Sequence, residues 1–191
     1  MKLLHIVVMT LSAMSTANSE QYPQIIVNGS ALSDSDIEHM IGLYGQIYVG
    51  RYWYDKTSGL YGYEGKGPAG QLHAGLVIGG QLAASASGGG NGALTGVFIN
   101  GREIHPDEYA FLRQLFGHVL PGHFWMNAKG VGGYEGGAAF FNVAQAMRRA
   151  GGHSGDSHYM PWLGAAPGTH VGRASDGCVY ISQGGYSNDF C

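Results

Sequence analysis

Apolar and polar positions fall in short blocks along this chain, and the blocks predict brief strands interleaved with amphipathic helices. Gln24–Asn28 is an apolar strand closed by Asn28-Gly29, two residues that tolerate positive φ. Ile37, Met40, Ile41 and Tyr44 then recur at helical spacing. Ser33 or Ser35 can cap this helix, Asp34 and Asp36 suit its positive end, and Gly45 stops it. Tyr48–Asp55 and Leu60–Glu64 read as two strands of a hairpin joined through Lys56–Gly59. The same order then returns. Val97–Asn100 precedes the turn Asn100-Gly101 and the short strand Arg102–Ile104. A helix from Pro106 to Phe116 follows, with Tyr109, Leu112, Leu115 and Phe116 on one stripe and Gly117 as its stop. His123–Asn127 and Val131–Glu135 form the second hairpin.

The return is literal at several positions. Asn28-Gly29 meets Asn100-Gly101, Leu43 meets Leu115, Gly45 meets Gly117, and Gly50 meets Gly122. With one residue removed between Asp55 and Gly59, Trp53, Gly59, Gly62, Tyr63, Glu64 and Gly65 meet Trp125, Gly130, Gly133, Tyr134, Glu135 and Gly136. Residues 26–65 and 98–136 are therefore two copies of one folding unit. Leu72–Ile78 between them reads as a further strand, and the Gly, Ala and Ser of 79–94 as a mobile connector. Ala138–Ala150 carries the longest helical pattern, with Phe140, Val143, Ala144 and Met147 on one face. Gly151–Gly168 is irregular and Cys178–Ser182 is a last strand. The predicted class is α+β: an internally duplicated strand-turn-helix-hairpin unit with mainly antiparallel strands, a C-terminal helix in the 138–191 portion and a disulfide-closed tail.

Composition sharpens this reading. Thirty-four glycines and 12 tyrosines in 191 residues favour turns and close strand contacts over long helices. Lys2, the apolar run Leu3–Met14 and the small residues Ala17–Ser19 make 1–19 a signal peptide, leaving 20–191 as one secreted or periplasmic domain. No later segment has membrane-spanning length. Cys178 and Cys191, the only cysteines, suggest one disulfide in an exported chain, with a two-thiolate metal site as the lesser alternative. A net charge of −3 lacks the basic footprint that nucleic acid or anionic membrane requires.

Candidate chemistry is sparse. Two copies packed about a pseudo-twofold axis would bring matching hairpins to a common groove. There Glu64 and Glu135 could act as paired catalytic carboxylates, one donating a proton and the other activating water. The bland alternative places each glutamate in a Gly-Tyr-Glu-Gly turn. Tyr54 and Tyr61 are candidates for an exposed aromatic binding surface. Asp55, Asn127 and His123 mark places where the copies diverge, and they complete the binding set. His153, Asp156 and His158 are the nearest approach to a local metal-ligand cluster. No Gly-x-Ser-x-Gly elbow, Walker pattern or Rossmann fingerprint occurs. A binding or assembly role outside the cytoplasm therefore leads, with a glycan or another extracellular protein as partner and homo-oligomers compatible with it. A small secreted hydrolase, glycan-directed through the paired glutamates or assisted by histidine, is the alternative.

Overall fold

The computed structural model describes residues 24–150 in full, together with the backbone of three later strands. The first unit runs β1 (Ile25–Val27), β2 (Ser30–Ala31), α1 (Asp34–Tyr44), β3 (Gly50–Tyr54), β4 (Leu60–Tyr63) and β5 (Pro68–Gln71). The second repeats it as β6 (Val97–Ile99), β7 (Arg102–Glu103), α2 (Pro106–Phe116), β8 (Gly122–Met126), β9 (Val131–Tyr134) and β10 (Ala139–Asn142). A short helix α3 (Val143–Arg149) follows directly. Strand order is β2-β1-β3-β4-β5 in one sheet and β7-β6-β8-β9-β10 in the other, the same topology twice. Within each sheet one pair is parallel, β1 with β3 and β6 with β8, and the remaining pairs are antiparallel. The helix between the parallel strands makes that crossover.

Local chemistry explains why both copies fold alike. The turn residues Asn28 and Asn100 have φ of 49° and 52°, and Gly29 and Gly101 follow at 77° and 84°. Each asparagine then clamps the strand beside it. Asn28 Nδ2 donates to Tyr54 O (2.8 Å) and its Oδ1 accepts from Tyr54 N–H (2.9 Å). Asn100 makes the same two bonds to Met126 at 2.8 and 2.9 Å. Ser33 caps α1 in a reciprocal capping box with Asp36, whereas His105 Nδ1 caps α2 by accepting from Asp107 N–H. Each tryptophan lies opposite a glycine on the neighbouring strand, Trp53 opposite Gly62 and Trp125 opposite Gly133. A Cβ at Gly62 would stand 2.8 Å from the Trp53 ring, so only glycine leaves room for the indole.

The two units share a core but are not related by a twofold axis. Trp53 and Leu60 of the first unit join Val97, Ile99, Ile104, Leu112, Phe124 and Met126 of the second in one buried cluster. Val27, Met40, Tyr54 and Ile78 form a second cluster inside the first unit. Across the junction the Arg102 guanidinium sits 4.1 Å from the Trp53 ring centroid. Asn100 Nδ2 donates to Asp55 Oδ2, and Gln71 Nε2 donates to Ala128 O. The first unit thus offers its tryptophan face and the second its β7 edge. A twofold would bury Ser30 and Ala31 of β2 as it buries Arg102 and Glu103 of β7, yet Ser30 and Ala31 are exposed while the β7 pair is wholly covered. The packing is head-to-tail, a heterologous contact.

Several expectations need correction. The unit extends beyond Gly65 and Gly136 to a third meander strand, β5 or β10, and the short strand expected at Arg102–Ile104 (β7) has a counterpart in the first unit, β2. Leu72–Ile78 is not a strand; its Leu72 and Leu76 pack on the first unit's core as coil. The 79–94 connector is pinned rather than loose, with Gly80 N–H donating to Val27 O, Gly65 N–H to Ala86 O and Glu103 N–H to Ala84 O. The helix expected over Ala138–Ala150 is half strand. β10 takes Ala139–Asn142 with a bulge at Phe140, and Asn142 then caps the seven-residue α3 by accepting from Gln145 N–H. In the tail, expected to be closed by a disulfide, the described backbone is a three-stranded antiparallel sheet of β11 (Thr169–Arg173), β12 (Val179–Gln183) and β13 (Tyr186–Phe190). No disulfide stands among the described residues, and Cys178 and Cys191 lie outside them. The leader expected at 1–19 also lies outside, and no secretion signal stands among the residues described, so export carries no part of the functional reading. Among the described residues no helix is long and apolar enough to cross a membrane.

Candidate functional site

The residues singled out by sequence fall into three settings. Tyr54 is buried at 2% exposure, its hydroxyl donating to His73 O (2.6 Å) and accepting from Leu76 N–H (3.1 Å). Tyr61 is half-buried against the same core. The pair therefore does not form an exposed aromatic surface. Asp55 is also buried, accepting from Thr57 N–H, the Ser58 hydroxyl and Asn100 Nδ2, so it holds the junction between units. Its counterpart Asn127 instead accepts from Lys129 and Val131 N–H and closes its own hairpin. Glu64 forms a two-point ion pair with Arg51, 2.7 and 3.2 Å, on the surface. It lines a cleft of about 440 Å³ with Asn28, Tyr52 and Ser85, and no second acid lines that cleft. Glu135 lies 3.8 Å from His123, both largely exposed. Glu64 thus faces Arg51 and Glu135 faces His123, each across its own hairpin, and no hydrogen bond or ion pair among the described residues joins the two glutamates. His153, Asp156 and His158 lie outside the described residues, among which no group of three metal-capable side chains occurs.

The sequence reading missed the charges that matter most to the fold. Arg102 pairs with Glu108 at 2.9 and 3.0 Å and donates to the Ser87 hydroxyl, with both charged side chains fully buried. Its Nε has no hydrogen-bond partner and lies in the guanidinium plane held over Trp53. Glu103 is surrounded by the glycine-rich connector. One carboxylate oxygen accepts from Gly90 and Gly92 N–H, the other from Leu94, Thr95 and Gly96 N–H. Burial alone would raise this carboxyl, but the backbone donors outweigh it and hold the group down at about 2. The available signal was a departure between copies: Ser30-Ala31 in the first becomes Arg102-Glu103 in the second, beside a glycine-rich run.

What remains open is the second unit's own tryptophan face. Trp53 and Trp125 are anchored alike, each donating Nε1–H over 3.0 Å to a backbone carbonyl, Lys66 O and Gly137 O. Trp53 is completely covered; Trp125 is only partly buried. Beside it on the same face, His123 stacks on Phe98 at 4.5 Å with the planes 6° apart. The face therefore presents an indole, an imidazole–phenyl stack and the carboxylate of Glu135. On the α2 side, Phe124 stacks on Tyr134 at 5.0 Å, matching Tyr52 with Tyr63 at 4.9 Å in the first unit. Phe140 and Phe141 extend that cluster.

No family model matches the chain, and no solved structure matches it. A stretch of 87 residues is 45% identical to the extra-large guanine nucleotide-binding protein 1 of Arabidopsis thaliana, covering 44% of this chain and 9% of that one. The chain thus spans about 9% of the length of this relative, and what the two proteins share is a short stretch of a much longer plant protein.

Proposed function

We propose that this chain is a non-catalytic protein-interaction module whose docking surface is the Trp125 face of the second unit. The observation that carries the reading is the unequal exposure of two equivalent faces: Trp53 is sealed by the next unit, and Trp125 keeps the same anchoring bond with its face partly open. The plant relative supports it, because the shared stretch is a small part of a long protein, as a reusable module would be. Guanine nucleotide binding, named for that relative, is not carried over: the match covers 9% of it, and no phosphate-loop pattern occurs in this sequence. Nor does the geometry favour a hydrolase through Glu64 and Glu135, since Glu64 is paired with Arg51 and no second acid lines its cleft.

Matched substitutions test the reading. Trp53→Ala opens a cavity in the shared core and should cost about 3–5 kcal/mol in denaturant unfolding. Trp125→Ala removes a side chain retained for a partner and should cost about 1–2 kcal/mol. A Trp125→Ala protein as unstable as Trp53→Ala would make the second face a structural one and overturn the reading.

A further inference from the structure

The molecule contains a template for what a tryptophan face of this kind accepts. On Trp53 the occupant is an extended strand, β7, whose Arg102 guanidinium lies 4.1 Å from the ring centroid in a dehydrated contact. A guanidinium suits that place because its flat, weakly hydrated cation matches the negative face of an indole. Trp125 has the equivalent strand position, a glycine opposite and the same Nε1–H bond, so its ring is held in place by the same anchor.

We propose that the Trp125 face receives an extended, arginine-bearing strand of a partner protein, its guanidinium stacked on the indole. The inference rests on the interaction-module reading and names the chemistry of the partner. Two differences between the copies point the same way. Arg51, which permanently neutralises Glu64, is His123 in the second copy, and an imidazole is charged only when protonated. Glu135, with its side chain 71% exposed, is thereby left to an incoming cation. The chain's formal charge of −3 adds a mild long-range preference for a basic partner. A second copy of this chain is the poorer occupant. Its exposed β2 edge offers Ser30-Ala31 where β7 offers Arg102-Glu103, and so brings no guanidinium.

The test uses the full chain labelled with ¹⁵N, the indole N–H signals being assigned through Trp→Phe variants. The probe is a free peptide of residues 96–105, GVFINGREIH, with two versions in which its arginine is replaced by lysine or alanine. The arginine peptide should shift the Trp125 signal saturably. The alanine peptide should bind about tenfold more weakly, the loss of one desolvated cation–π contact, with lysine between them. Glu135→Gln should weaken the arginine peptide several-fold while leaving the alanine peptide unchanged. Equal shifts with arginine and alanine peptides, or none, would overturn the proposal. So would a Trp125 signal that changes with protein concentration alone, which assigns the face to a second copy, or one already shielded from solvent additives, which assigns it to this chain's own residues. If the peptide fails while Trp125→Ala remains only mildly destabilising, the partner chemistry is wrong and the module reading stands.

Discussion

Arg51 and Arg102 each hold a glutamate, and the difference in their surroundings sets what each pair is worth. Arg51 and Glu64 are 57% and 34% exposed, so water screens the pair and competes for both ends. Removing Arg51 as Arg51→Ala should change stability by no more than about 1 kcal/mol. Arg102 and Glu108 are wholly buried, and Arg102→Ala strands the Glu108 carboxylate without water or partner. That substitution should cost about 3–5 kcal/mol and also loosen the lid on Trp53. Denaturant titrations of the two variants side by side check the contrast. The sequence shows two Arg/Glu pairs of similar appearance; only burial separates them, and burial depends on residues far away in the chain.

At the scale of elements, much was legible because local chemistry decides it. Asn-Gly turns, the Ser33 cap, Pro106 at the start of α2 and the Gly45 and Gly117 stops all act within a few residues. The failures are segments whose conformation is imposed from outside. Pro68–Gln71 lacks an apolar alternation and becomes a strand because β4 offers it a free edge. Phe140 reads as part of a helical face with Val143, Ala144 and Met147, but β9 draws it and Phe141 into a bulged strand that delays the helix to Val143. The glycine-rich connector looks unable to hold a shape, and it folds around one carboxylate supplied by β7. This makes a pH prediction. Glu103 titrates at about 2 when folded against an ordinary 4.5, so the unfolded chain binds the extra proton between those values. Its stabilisation is complete above pH 4.5 and is lost as pH falls toward 2. The stability difference between the natural chain and Glu103→Gln should therefore shrink across that window, which urea titrations at stepped pH would reveal.

For the whole molecule, the head-to-tail contact makes two units one folding body. Trp53 and Leu60 complete the second unit's core, and Asn100 completes the hydrogen bonding of Asp55. Unfolding should follow a single transition, with tryptophan fluorescence and far-ultraviolet circular dichroism coinciding. Two separated transitions would mean that the units hold together only weakly.

The duplication, its Asn-Gly turns, the helix stops at Gly45 and Gly117 and the strand positions of both tryptophans were determined by sequence alone, since repeated residues in a repeated order make the same local bonds. The choice between twofold and head-to-tail packing was not, and it decides everything about the site. Equivalent residues meet only across a twofold axis, and in the head-to-tail packing Glu64 faces Arg51 and Glu135 faces His123 on separate hairpins. The same packing sealed one indole, left its twin partly open and buried an Arg-Glu pair where the first copy exposes Ser-Ala. Those outcomes depend on which surface of one copy excludes water from which surface of the other, and that energy belongs to pairs of residues distant in sequence.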